Sequence, residues 1–224
     1  MPEEREGNLP WFLVARRQAY IGEEQANGLR IVAIFGFYAI HLMNYHGLRL
    51  GFLEVPAQEG LAEAFHRAVT SLAVAWIVVA LAVRVALRNQ VFPAWLGYAS
   101  TAADVLLLTA VLVLADGPSS PLVIAYLLVV AAAALRMQVV LVMFAALTSA
   151  AGYLFTCGFA RWYAERQDDI TVPRYHQLTV LLTLVLAGWL LARLAHRGRA
   201  AAVDYHHWMR ERADAVGDPG RTDA

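Results

Sequence analysis

Six apolar blocks follow one another along the chain, and they constrain its fold more than any other feature of the sequence. The hydrocarbon core of a bilayer is about 30 Å thick, so a helix needs about 20 predominantly apolar residues to cross it. The blocks approach that length. We therefore predict an all-α polytopic membrane protein that contacts the lipid bilayer. Its six predicted transmembrane helices lie at 29–50, 67–87, 92–115, 119–135, 138–160 and 175–195.

The composition agrees with this fold class, because 59% of the residues are hydrophobic and only 16% are charged. Soluble domains are about 45–50% apolar. The predicted organisation is a cytoplasmic N-terminal segment with an interfacial helix at 1–28, a six-helix transmembrane domain at 29–197 and a cytoplasmic helical tail at 198–224. An independent domain needs about 50 residues or more, and neither end supplies them. We therefore predict that the protein is not an enzyme.

The arginines predict the orientation, since positively charged loops stay in the cytoplasm. With the N-terminus inside, thirteen of the 18 basic residues lie on the cytoplasmic side, and Arg30 at the start of the first span and Arg136 are among them. An even number of spans then places both termini in the cytoplasm. We predict a multi-pass protein of the bacterial cytoplasmic (inner) membrane.

Several classes of protein are excluded by composition. All 18 basic residues are Arg, so the chain cannot form a retinal or pyridoxal-phosphate Schiff base through lysine. The single cysteine, Cys157, permits no internal disulfide and no cysteine-ligated zinc or iron–sulfur site. The net charge is zero and no basic run is long, so we expect no nucleic-acid partner.

Asp104 is the most informative polar residue, because it lies near the middle of the third predicted span. A charged carboxylate at that depth costs at least a few kcal/mol unless it is protonated, paired or hydrated. One interpretation is a neutral Asp104 bonded to Thr101, to Thr109 or to a neighbouring helix. The other is a ligand or proton site.

Histidines group on the outer half of the predicted topology. His46 ends the first span, His66 begins the second and His176 begins the sixth, whereas His41 lies about 7 Å deeper than His46. Neutral imidazoles brought together by three helices can bind a metal, ligate heme or bond to a quinone carbonyl. The alternative is that they only meet lipid headgroups and water. The cofactor is therefore unknown, with heme and quinone as candidates. The candidate ligand-binding residues are His41, Asn44, His46, Asp104, Thr109 and His176, and none is assigned to a metal.

The third and fourth blocks carry an ordered set of polar and turn residues. An intramembrane Asp is followed by a Thr, a Gly-containing turn, a Ser-Pro pair and a Tyr on the next helix. These residues are Asp104, Thr109, Gly117, Ser120, Pro121 and Tyr126. This pattern resembles the six-helix membrane sensor domains of bacterial histidine kinases and of related cyclase or diguanylate cyclase proteins. Redox-sensing members of that group carry Gly-Gly where this chain has Asp116 and Gly117, and Asn where it has Ser120.

The resemblance implies a sensor whose sixth helix passes a signal to an output domain. Here only a short tail follows Arg197, so we expect the signal to pass to another polypeptide. The first functional prediction is thus a non-enzymatic membrane protein of sensor-domain type, acting through another membrane protein or as a homo-oligomer. The alternative is an accessory subunit of a membrane electron-transfer complex that contacts heme, quinone or neighbouring subunits.

Overall fold

The fold is known from a computed structural model, which describes residues 9–50, 53–55, 63–91, 93–162 and 172–217. Six α-helices account for most of these residues, and a short antiparallel hairpin follows the first helix. The helices are α1 (Leu9–His46), α2 (Glu63–Arg88), α3 (Leu96–Leu114), α4 (Ala125–Ala134), α5 (Val139–Trp162) and α6 (Arg174–Gly217). The hairpin consists of β1 (Leu48–Leu50) and β2 (Leu53–Val55).

Five helical segments in the described part of the chain are long and apolar enough to cross a membrane. This agrees with a helical, multi-pass membrane protein in contact with lipid. Large apolar side chains also cover the outside of the bundle, where Val32 and Leu106 are 69% and 70% exposed. The five segments are Ala19–His46, Glu63–Arg88, Leu96–Leu114, Val139–Trp162 and Arg174–Ala201.

The first helix differs from its predicted span at both ends. Its apolar segment begins at Ala19 rather than at residue 29, and α1 itself begins at Leu9. The helix ends at His46, because Gly47 takes a positive φ of 72° that stops it, and the chain then forms β1. The sequence pattern assigned residues 47–50 to the helix.

The fourth predicted span is only partly α-helical. Two 3-10 turns, Gly117–Ser119 and Pro121–Ile124, precede the ten residues of α4. Ser120 accepts a hydrogen bond from the backbone N–H of Leu122 at 3.3 Å, and Pro121 has no N–H of its own to satisfy. These two residues start the turn that leads into α4.

Helices α3 and α5 run in the same direction. Near their starts, Gly97 faces the side chain of Leu141, and beyond the end of α3, Gly117 faces Ala160 near the end of α5. The intervening segment 117–138 must therefore return over the whole height of the bundle. It does so through the two turns and α4.

Both long terminal helices extend from the same end of the bundle. Gly22 in α1 approaches Leu135 and Arg136, and Gly198 in α6 approaches Met137. The α4–α5 turn thus marks the end at which α1 enters the bundle and α6 leaves it. The core lies among α3, α4, α5 and α6 and includes the fully buried side chains of Leu112, Tyr126, Val130, Leu141, Tyr153 and Leu184.

Candidate functional site

A buried ion pair between α1 and α3 lies at the centre of the site, and we call it the central ion pair. Arg30 donates from Nε to Oδ1 of Asp104 at 2.7 Å and from Nη2 to Oδ2 at 2.8 Å. The two side chains are only 4% and 9% exposed. This two-point geometry is the strongest that an arginine and a carboxylate can form.

Two neighbours add further hydrogen bonds to the central ion pair. Trp76 of α2 donates its indole N–H to Oδ1 of Asp104 at 2.8 Å. Asn27 accepts from Nη1 of Arg30 at 2.6 Å and donates to the carbonyl oxygen of Ala80 at 3.1 Å. The cluster joins α1, α2 and α3, and its two formal charges cancel.

Asp104 bonds to neighbouring helices, but it does so in an ion pair with Arg30 rather than as the neutral side chain of the first interpretation. Arg30 was not predicted as its partner. Arg30 was assigned to the cytoplasmic end of the first span, whereas α1 in fact carries it into the bundle. A signal was present in the sequence, since Glu23, Asn27 and Arg30 recur at intervals of four and three residues. That spacing places polar side chains on one helix face.

A second ion pair, here the inner ion pair, lies closer to the α4–α5 turn. Arg136 places Nε 2.6 Å from Oε2 of Glu23 and donates from Nη2 to Oε1 at 2.8 Å. Its other donors reach the hydroxyls of Thr101 at 2.9 Å and Ser100 at 3.0 Å. Both charged side chains are at most 3% exposed. As in the central ion pair, each buried charge therefore needs the opposite charge beside it.

Thr109 is separated from Asp104 in the structure. Its hydroxyl donates to the carbonyl oxygen of Val105 at 2.6 Å and lies 2.7 Å from the hydroxyl of Tyr126. Because a threonine hydroxyl has one hydrogen, Tyr126 is the donor of the second bond. Thr109 therefore ties α3 to α4, while Asp104 faces α1 and α2.

Three of the histidines that were predicted to lie on the outer half are close together, and we call them the outer imidazole cluster: His41, His46 and His66. Nε2 of His41 lies 3.1 Å from Nδ1 of His66. The ring centroids of His46 and His66 are 6.3 Å apart, and Tyr45 stacks on His66 with a centroid distance of 4.1 Å. Helices α1 and α2 supply all four rings.

The remaining predicted site residues lie elsewhere. His176 is exposed in the first turn of α6, which packs mainly against α4 and α5 rather than against α1 and α2. Asn44 is exposed on α1. Within the described ranges, no three His, Cys, Asp or Glu side chains are arranged to hold a metal ion.

A cavity of about 140 Å³ connects the central ion pair to the outer imidazole cluster. It lies among α1, α2, α3 and the α4 region, and its walls are mostly apolar. On α1 its lining extends from Leu29 to His41, which corresponds to about 18 Å of helix. Arg30, Trp76 and Asp104 form one end, and Tyr38 and His41 lie toward the other.

No protein-family model matches the chain, and neither a curated protein nor a solved structure matches it. A function for this chain must therefore be inferred from the geometry of the site.

Proposed function

We propose that this protein is a non-enzymatic membrane sensor that binds a ligand in the α1–α4 cavity and acts through a partner protein. One observation carries the proposal: α1 lines the cavity and also extends beyond the bundle at its other end. A change at the cavity therefore acts on the same helix that a partner can contact.

The two ends that extend beyond the apolar segments are long enough for such a contact. Helix α1 starts ten residues before its apolar segment, and α6 continues for sixteen residues past Ala201. At 1.5 Å per residue, the extension of α6 reaches about 24 Å. Both extensions leave the same end of the bundle, so one partner can bind both.

In the proposed topology the chain crosses the bacterial inner membrane six times and has both ends in the cytoplasm. The return of segment 117–138 over the height of the bundle supports a sixth crossing, although α4 is short. Arg30 and Arg136 lie inside the bundle, and the other arginines still support the orientation by eleven to five.

The experiment compares the complex formed by the full chain with that formed by a variant ending at Ala201. Native mass spectrometry from mildly solubilised native membranes should give the full chain a mass well above 24.6 kDa. The shortened variant should lose the complex while keeping the thermal midpoint of the bundle. Integer multiples of the chain mass identify a homo-oligomer, and any other mass identifies a different partner. A full chain that is purely monomeric contradicts the proposal.

The outer imidazole cluster favours a second function, an accessory subunit of an electron-transfer complex. Imidazoles are the ligands and hydrogen-bonding groups that heme and quinones use in proteins. An absorbance spectrum of the protein purified from its native membrane separates the two proposals. A Soret band that is lost in His41→Gln and His66→Gln supports this second function, and a spectrum without that band removes heme from it.

A further inference from the structure

We propose that the α1–α4 cavity binds a neutral, membrane-soluble molecule whose head is a single planar ring with a hydrogen-bond-accepting oxygen. This inference rests on the proposed function, because it names the ligand class for the same cavity. Its support comes from the size, the walls, the charge and the opening of the cavity.

The size of the cavity limits the head of the ligand. A cavity of about 150 Å³ in a protein interior holds benzene, and this one is about 140 Å³. One six-membered ring therefore fits. A tail attached to the ring must leave through the opening.

The walls favour a planar, unsaturated ring. Helices α1 and α2 contribute five aromatic or imidazole side chains to the lining, and flat rings pack against such side chains in stacked or edge-to-face arrangements. They are Phe37, Tyr38, His41, Phe65 and Trp76.

The charge at the end of the cavity favours a neutral ligand. Arg30 and Asp104 already neutralise each other at 2.7 Å. A charged ligand would find no unpaired counter-charge at this end of the cavity, so the cost of removing its charge from water would not be compensated. A neutral head avoids this cost.

The hydrogen-bond donors favour an acceptor oxygen on the ring. An arginine has five N–H groups, and among the residues that the structure describes, Arg30 uses three of them on Asp104 and Asn27. Two N–H groups therefore remain on a side chain that lines the end of the cavity. A carbonyl or phenol oxygen on the ring is a suitable acceptor for them.

The opening points to the bilayer as the source of the ligand. Leu128 of α4 lines the cavity and is also 40% exposed on the bundle. Leu128 therefore gives the cavity an apolar edge on the outside of the bundle, from which a membrane-soluble ligand can enter.

The experiment uses three probes with the same tail: 4-hexylacetophenone, hexylbenzene and hexylcyclohexane. Thermal midpoints are measured on the full chain in lipid nanodiscs, with each probe dosed as a mole fraction of lipid. A ligand that binds only the folded protein raises the midpoint in a concentration-dependent way. We expect hexylacetophenone to bind at least tenfold more tightly than hexylbenzene, and hexylcyclohexane to bind more weakly still.

Two cavity-filling variants and one matched control locate the binding. Ala73→Phe and Ala132→Leu fill the cavity from α2 and from α4, and each should abolish the shift caused by hexylacetophenone. Ala75→Phe lies on the exposed face of α2 and should keep the shift. Equal shifts for all three probes, or shifts that survive in both filling variants, overturn the proposal.

The probe-binding experiment and the native mass spectrometry can reject the ligand class and the proposed function separately. Probe binding uses the purified chain alone, so it is unaffected by the absence of a partner. A complex without probe binding preserves the proposed function and rejects this ligand class. Probe binding by a chain that is always monomeric preserves the site and rejects the proposed function.

Discussion

Asp104 and Arg30 illustrate how a charged residue is accommodated inside an apolar bundle. A buried pair recovers most of the desolvation cost only when its hydrogen bonds are complete. Here Trp76 and Asn27 provide the additional bonds. The pair therefore fixes which face of α1 meets α3, and its contribution to net stability is small compared with the cost of breaking it.

Removing one partner of this pair should be far more harmful than removing both. We expect Arg30→Met and Asp104→Leu each to lower the free energy of unfolding by about 3–5 kcal/mol, because each leaves an uncompensated charge. The double variant should lose much less than the sum of the two. A double-mutant cycle from reversible denaturation in mixed micelles measures the difference.

Glu24→Gln is the matched control, since Glu24 is exposed on the same helix and should change stability by less than about 0.5 kcal/mol. Additive losses in the double variant would show that Arg30 and Asp104 do not depend on each other.

The sequence predicted that Asp104 needs a polar partner, but it did not identify Arg30 as that partner. Asp104 could be identified as a special residue because a charged carboxylate near the middle of a membrane span has a high free-energy cost. Arg30 is 74 residues away in the chain, and a single sequence contains no information that joins two such positions. The outer histidines show the same limit: His41, His46 and His66 do meet, but His176 was placed beside them on depth without any knowledge of which helices are neighbours.

Helix α1 depends on a close approach to the α4–α5 turn. A Cβ atom at Gly22 would lie 2.6 Å from the carbonyl oxygen of Leu135 and 2.7 Å from Cα of Arg136. Both contacts involve backbone atoms, which cannot rotate away. Glycine at this position therefore allows Glu23 to reach Arg136.

We expect Gly22→Ala to destabilise the protein by about 1–3 kcal/mol through overpacking. Gly28→Ala is the control on the same helix, since nothing lies within 4 Å of a Cβ there. It should be neutral or stabilise by up to about 1 kcal/mol, because alanine favours a helix. Thermal midpoints of the two variants in one detergent give the comparison, and equal midpoints would mean that α1 does not pack closely on the turn.

Helix boundaries were predictable where hydropathy alone determines them. The predicted spans 67–87 and 138–160 lie close to α2 and α5, because each block is apolar throughout. The predicted start of the first span, residue 29, lies ten residues after the apolar segment of α1 begins at Ala19, because Glu23, Asn27 and Arg30 lower the local hydropathy. Their partners nevertheless remove the cost of burying them. The hairpin of β1 and β2 was not predicted from the sequence. A short apolar run after a helix can either continue that helix or form a strand, and the sequence does not distinguish the two.

For the whole molecule, the decisive question is whether segment 117–138 crosses the membrane. Six crossings place Asn89 and Tyr175 on opposite sides, and five crossings without that segment place them on the same side. In a Cys157→Ala background, Tyr175→Cys should react with an impermeant maleimide added to intact cells. Asn89→Cys should react only after the membrane is opened. Reaction of both from one side contradicts the six-crossing topology.

The two buried ion pairs also determine the order in which the protein can be assembled. Glu23 and Arg30 belong to α1, but their partners Arg136 and Asp104 follow 113 and 74 residues later in the chain. A charge left alone at the centre of a membrane helix costs about 2.5–3.5 kcal/mol on insertion scales. We therefore expect α1 to reach its final depth only after α3 and the α4–α5 turn have been translated, although α1 itself is translated before them.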